Sequence, residues 1–451
     1  MVNFKKVMTS VVAGGLALSL AACGTSGTGE TGSTGNSGKP LQVWTLSEDL
    51  KTFADYYMEQ NPEKKVEVTI IAPADYPTKV STALRGKSAT PDIIVGEPQM
   101  LDGFMKAGYF EDLSQAPYNA GDYRDQLVDY VYEAGSDDEG IVRALSYQVT
   151  PGGILYRRDI AEKVYGDDSP EFMATKFADM KAMMQTAEEM KAAGYKVFSD
   201  TGNLRWFTNV GDDAKPWVVD NELQMTDGKM QYFDAAVKLY QEDLTAFAGE
   251  WSAAWYASMA GPIPATADAV EDFNAEEGAS VSGPTTEVFS YALPTWGSLI
   301  LRDNAGENVG NFGITTGMTP YFAGGTFVGI NTYSQNKEAA WDFMKFVTLD
   351  EETASWWSEV SNGDIVSNKA VLEANKDLEN EMFGGQKTYA FWLEQAQNID
   401  LSMITEYDDE IGKFFGQAIN AVQLGEKTKE QALADFYQNV KSVYPKIAVP
   451  Q

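Results

Sequence analysis

VFSYALPTWGSLILRDNAGENVGNFGITTGMTPYFAGGTFVGI, residues 288–330, sets two aromatic clusters between apolar runs. The runs at 288–293 and 326–330 have the composition of buried strands. Pro294-Thr295-Trp296-Gly297 and Pro320-Tyr321-Phe322-Ala323-Gly324-Gly325 lie beside them. Rings held at strand ends by proline and glycine are expected to be presented, not buried. Such rings suit the C–H faces of sugars, whose hydroxyls then need neighbouring amides or carboxylates. From the residues alone, core positions for Trp296 and Phe322 are an equal alternative.

Working outward, residues 41–45 read as a short apolar strand that runs into Leu46-Ser47-Glu48-Asp49. Leu50, Phe53, Ala54, Tyr57 and Met58 then recur at helical spacing, with Ser47 placed to cap that helix. Residues 66–71 supply the next strand and complete a β-α-β unit. The loop after its first strand sits where open α/β sheets put ligands, so Ser47, Glu48 and Asp49 are candidate contacts. The alternative is that they only cap and charge a helix N-terminus. Tyr76, Val80, Ala83 and Leu84 mark a second helix, Pro91-Asp92-Ile93-Ile94-Val95-Gly96 a buried strand, and Glu97-Pro98-Gln99 another post-strand loop. The helix through Leu101, Phe104 and Met105 stops at Gly108. This alternation predicts a mostly parallel sheet with helices on both faces.

The N-terminus carries Lys5 and Lys6, an apolar run at 7–20, and Leu20-Ala21-Ala22-Cys23-Gly24. That pattern is a secretory leader over 1–22, too short for a stable membrane span. Leu-Ala-Ala-Cys resembles the lipobox of bacterial lipoproteins, which implies a lipid on Cys23. Residues 23–39 are Gly, Ser and Thr with almost nothing apolar, a composition that cannot fold and serves as a tether. No other run is long and apolar enough to cross a bilayer as a helix. The formal charge of −32, two units more acidic once the leader's lysines are gone, argues against nucleic acid as a partner. With no histidine and one cysteine, soft metal sites and histidine-dependent triads are excluded, while an all-oxygen calcium site is not. No cofactor and no metal are called for. Residues 40–451 are enough for two or three domains.

Several segments read clearly as core. Met180, Met183, Met184, Ala187 and Met190 form a helical stripe, as do Ala340, Trp341, Met344 and Val347. Trp251 and Trp255 are placed on one face of a helix at 251–259, as core or rim. Trp356 and Trp357 point about 100° apart on a helix and cannot share a pocket. Asn362-Gly363 is a turn signal. Ile411, Phe415, Ala418, Ile419 and Val422 make a helix ended by Gly425, and Thr428 with Gln431 is a capping-box pattern. By contrast, Leu204-Arg205-Trp206-Phe207-Thr208-Asn209 and Trp217 fall in irregular stretches that no regular core face explains.

The order strand, helix, strand, helix, Thr90-Pro91-Asp92-Ile93-Ile94-Val95, then a helix ending Ala107-Gly108-Tyr109-Phe110-Glu111-Asp112-Leu113, resembles the first lobe of the extracellular solute-binding proteins of carbohydrate ABC importers. Ala144-Leu145-Ser146-Tyr147-Gln148 followed by Gly153-Ile154-Leu155-Tyr156-Arg157-Arg158-Asp159-Ile160 is similar to that family's first crossing between lobes. Residues 289–297 resemble its strand and aromatic turn, and residues 324–345 its return strand and helix. The resemblance is colinear over nearly the whole chain.

It implies a two-lobed α/β fold of the periplasmic-binding-protein type, each lobe a mostly parallel sheet flanked by helices, with the ligand cleft between them. The expected lobes are 40–147 plus 310–350 and 148–309 plus 351–451. Residues 261–284 read as a surface insertion. The implied activity is non-catalytic: capture of an oligosaccharide and its delivery to the transmembrane subunits of an ABC permease. The protein would be a monomer on the outer face of the bacterial cytoplasmic membrane, anchored through Cys23. Trp206, Trp296, Tyr321, Phe322 and Tyr407 would stack on sugar faces. Ser47, Glu48, Glu97, Gln99, Tyr147, Gln148 and Asp408 would complete the site, with planar carboxylates and amides bonding pairs of hydroxyls. For Glu406-Tyr407-Asp408-Asp409 the equal alternative is a solvated acidic cap. A secreted glycoside hydrolase, which needs aromatic platforms and only two carboxylates, and a receptor for cations or peptides remain the competing classes.

Overall fold

The computed structural model describes residues 39–72, 75–275, 283–361 and 364–450. The leader, Cys23, most of the tether and Asn362-Gly363 lie outside the described residues. So do residues 276–282 of the expected insertion. The strands in chain order are β1 Leu41–Thr45, β2 Val66–Ile70, β3 Ile93–Gly96, β4 Ala144–Ser146, β5 Gly152–Arg157, β6 Tyr195–Phe198, β7 Val218–Val219, β8 Glu222–Leu223, β9 Ile263–Pro264, β10 Thr285–Pro294, β11 Phe312–Thr315 and β12 Phe327–Ile330.

Two sheets organise them. The first has the order β2-β1-β3-β12-β4 and the second β11-β5-β10-β6, with β9 pairing the start of β10. The β-α-β unit reads as expected, since β1 is parallel to both β2 and β3. The sheets are nonetheless mixed, which corrects the expectation of mostly parallel ones. β12 runs antiparallel to β3 and β4, and β5 antiparallel to β10 and β11. A parallel neighbour needs a crossover within its own layer, whereas β12 is entered directly from the second sheet.

The expected lobe limits shift for the same kind of reason. Phe312–Thr315, assigned by sequence to the first lobe, pairs with β5 of the second sheet. Helix Glu351–Val360, assigned to the second, packs Trp357 against Phe53 (centroids 4.4 Å apart, stacked) and Tyr147 of the first. The span read as a surface insertion contains β9 and a helix at Ala267–Ala275 whose Val270 is buried. Elsewhere periodicity and packing agree: Met180, Met183, Ala187 and Met190 are buried, as are Trp341 and Met344. The capping box at Thr428 and Gln431 is fully formed.

Three stretches of backbone lie side by side where the sheets meet. Residues 147–151 lead from β4 to β5. Residues 316–326 lead from β11 to β12 and pair with them, Gly152 N donating to Tyr321 O (2.7 Å) and Ala323 N to Thr150 O (3.2 Å). Residues 364–368 run along the other side, with Val149 N donating to Ile365 O and Ser367 N to Tyr147 O. The residue after β10, Thr295, clips on, its Oγ1 donating to Val149 O (3.0 Å). Gly152 is required here because a Cβ would fall 2.0 Å from the Tyr321 ring.

Candidate functional site

The chain beside the 316–326 crossing walls a cavity of about 780 Å³. The residues around it come from 202–217, 318–322 and 398–416, with Tyr232 behind them and Gln99 contributed by the first sheet's helix Pro98–Lys106. Its most ordered feature is a ring pair. Trp206 and Tyr321 lie 5.3 Å apart at 8°, and the Arg205 guanidinium sits 4.1 Å from the Trp206 ring centre. Tyr321 is fixed from three sides: its hydroxyl donates to Gly153 O (3.1 Å), its carbonyl takes Gly152 N–H, and Phe207 meets it edge-on. Trp206 Nε1 and Gln99 Oε1 are buried polar atoms without a protein partner. A buried donor left open costs about 1 to 3 kcal/mol, so such atoms mark places where a ligand or water completes the bonding.

A buried lysine supports the wall from behind. Lys229 is fully enclosed, and its Nζ donates to Lys215 O (2.6 Å) and Asn209 Oδ1 (3.0 Å) while lying over the Trp217 ring. Burial lowers its pKa to about 8, with the Asp408 and Asp213 charges pulling the other way. Asp408 faces the cavity, and burial lifts its carboxyl to about 6 in spite of the hydrogen bond donated by Thr405 Oγ1 (2.6 Å). The wall therefore holds a carboxyl that titrates near neutrality beside two stacked rings.

Five residues expected from the sequence, Gln99, Trp206, Tyr321, Phe322 and Asp408, meet at this cavity. Phe322 and Tyr321 are more buried than the reading of presented rings expected, because the crossing backbone pairs over them; Phe322 also packs on Tyr130. Glu97 and Trp296 stand nearby, around Gly324. A Cβ on that residue, whose φ is +74°, would lie 3.4 Å from Trp296 Nε1 and 3.9 Å from Glu97 Oε1. Trp296 is half-buried, begins helix Thr295–Asn304 rather than a turn, and donates Nε1–H to Ala323 O (3.1 Å). Glu97 is solvent-exposed, yet the protein around it raises its pKa by desolvation, and the Asp409 charge adds to the shift.

The remaining candidates are placed elsewhere. Tyr147 is buried and donates to Asp49 Oδ2 (2.8 Å). Gln148 is spent on the crossing: Nε2 donates to Asp364 Oδ2 (2.7 Å) and Oε1 accepts from Thr326 Oγ1 (2.9 Å). Ser47 Oγ accepts from Asp49 N (3.1 Å), a turn at the helix start, while Glu48 is the exposed N-cap residue without a side-chain bond. Tyr407 turns its ring edge-on to Tyr444, 5.2 Å away.

Sequence reasoning did not single out Trp251 for the site. The residue lies outside the helix that was to hold it: Ser252 Oγ accepts from Trp255 N, so the helix starts at Ala253. Trp255 is core, whereas Trp251 is 56% exposed with φ at +70° and stacks on Trp296 (5.4 Å, 24°). Left-handed backbone costs a bulky residue roughly 1 to 2 kcal/mol, which the surroundings must supply.

A family model described as bacterial extracellular solute-binding protein matches residues 52–383. The fold matches the crystal structure of an extracellular solute-binding protein of family 1, with a TM-score of 0.72, 18% identity, and 89% of this chain and 99% of that one covered. It matches the ABC transporter associated binding protein from B. animalis subsp. lactis in complex with beta-1,6-galactobiose (TM-score 0.67, 19% identity, 92% and 100% covered). It also matches the sugar-binding protein MalE from Xanthomonas citri (TM-score 0.67, 15% identity, 90% and 98% covered).

Proposed function

Because the chain belongs to the bacterial extracellular solute-binding proteins, which are binding proteins and not enzymes, we propose that it captures an oligosaccharide between its two sheets and hands it intact to the transmembrane subunits of an ABC permease. The observation that carries this reading is the Trp206–Tyr321 stack in the cavity wall, with Trp206 Nε1 and Gln99 Oε1 left open beside it. Flat apolar faces next to unpaired donors and acceptors fit a ligand that is itself apolar on its ring faces and polar at its edges. The neighbour in complex with beta-1,6-galactobiose and the sugar-binding protein MalE support the same class.

In this reading Trp206 and Tyr321 stack on a sugar ring. Gln99 and Asp408 bond hydroxyls, and Glu97 with Trp296 forms the rim. The first lobe is built on the β2-β1-β3-β12-β4 sheet, the second on β11-β5-β10-β6, and closure occurs about the three adjacent backbone passes. The chain works as a lipoprotein anchored through Cys23 on the outer face of the cytoplasmic membrane, as a monomer, with residues 23–39 as tether. Calorimetric titration of protein lacking residues 1–22 against neutral oligosaccharides, followed by chromatography of each mixture, tests this. Micromolar or tighter binding with the sugar recovered intact is expected. Cleavage of the sugar would replace transport by hydrolysis, and absence of binding across the panel would turn the argument to cations or peptides.

A further inference from the structure

The geometry points to Trp251 as the residue that sets ligand length: we infer that its open face is a second stacking platform, taking the outer sugar units of a ligand whose inner unit lies against Trp206 and Tyr321. This rests on the oligosaccharide reading of the site and adds to it a residue that the cavity does not include. Three observations carry it. Trp251 is 56% exposed, the largest exposure of any large apolar side chain described, and it is held in the left-handed region, at +70°, where a tryptophan gains nothing by itself. Its ring is held by Trp296 stacked on it and by Trp255 at 5.3 Å, and more than half of it stays open to solvent.

The platform is also continuous with the cavity. Arg205, stacked on Trp206, forms an ion pair with Glu250, the residue immediately before Trp251. Trp296, beneath Trp251, is tied to the crossing through Ala323 O and stands by Glu97 at Gly324. A sugar chain leaving Trp206 along this line meets a second apolar ring face. A short sugar held by the inner pair does not reach it. The occupant is therefore the distal part of an extended oligosaccharide.

The test is calorimetry on the wild-type chain and on Trp251→Asn and Trp251→Phe, using a homologous series of two to five sugar units of whichever sugar binds the wild type. Asparagine suits the left-handed backbone and removes the ring, so folding is preserved. Expected are affinities within about twofold of wild type for the shortest ligand and about tenfold weaker binding of the longer ones with Trp251→Asn, while Trp251→Phe keeps most of the length preference. An equal loss at every length, or none at any, overturns the inference while leaving sugar capture intact. Failure of the wild type to bind any sugar overturns the functional reading and this one together.

Discussion

Two stacked ring pairs, each with a tryptophan, stand on either side of the 316–326 crossing's contacts and are built in opposite ways. Trp206–Tyr321 is enclosed: Tyr321 is bonded to Gly152 and Gly153 across the crossing, and the pair lies in a cavity wall backed by Lys229. Trp251–Trp296 is open, with one ring mostly in solvent and strained in its backbone. Enclosure couples a ring to the fold, whereas an exposed ring contributes little to it. Mutations should therefore separate stability from affinity differently at the two pairs.

The largest effect belongs to Tyr321. Tyr321→Ala empties a buried site at the crossing and should lower unfolding free energy by about 3 to 5 kcal/mol, read by urea denaturation, with affinity lost as well. Tyr321→Phe, which removes only the bond to Gly153 O, should cost about 1 kcal/mol. If Tyr321→Ala unfolds like wild type, the ring is not part of the scaffold and the contrast fails.

Trp206 is half-buried and lines the cavity, with the Arg205 guanidinium over its ring. Trp206→Ala is expected to weaken the shortest binding sugar at least about thirtyfold, the scale of a binding hot spot, with less than about 2 kcal/mol of stability lost. Trp296→Ala should be milder, about three- to tenfold and confined to longer sugars, because it removes the support of Trp251 and the bond to Ala323 O but nothing inside the cavity. Equal losses from Trp206→Ala and Trp296→Ala on a disaccharide, measured by calorimetry, would merge the two pairs into one site.

Much of this was legible in the chain. Helical spacing located the core stripes at Met183 and Trp341, and the β-α-β start read β1 and β2 as parallel. The aromatic stretch at 288–330 did reach the cavity wall, through Tyr321. What failed were readings in which a local pattern is decided by a distant partner. Gln148 follows a strand and carries an amide, as a ligand contact would, but its amide is used by Asp364, 216 residues away. The direction of β12 depends on which sheet the chain returns from, which no spacing encodes. Trp251 is a different case, since the signal was present: Ser252 before an apolar run is a helix-capping residue, and giving it that role would have put Trp251 outside the helix.

The smallest expected effect distinguishes two acids of the same region. Asp364 at the crossing and Asp408 in the cavity both have carboxyls raised by burial from 3.8 to about 6. A carboxyl whose folded pKa lies above its unfolded value binds its proton more tightly in the folded state. Its contribution to stability is complete below the unfolded value and is lost as pH rises through the folded one. Both acids should therefore make the chain less stable between about pH 4 and pH 7. Asp408→Asn removes one of them without touching the crossing, so its melting temperature should fall less steeply over that range and exceed wild type by a few degrees at about pH 7. Asp364→Asn has the same sign for the charge, but the carboxylate accepts from Gln148 Nε2, Trp357 Nε1 and the Ile365 amide, and an asparagine cannot accept all three. That variant should lose stability at every pH. Parallel pH–melting curves for the two variants would show that the cavity acid is as much a part of the scaffold as the crossing acid, and the division between the enclosed frame and the ligand-facing wall would then have to be redrawn on the Asp408 side.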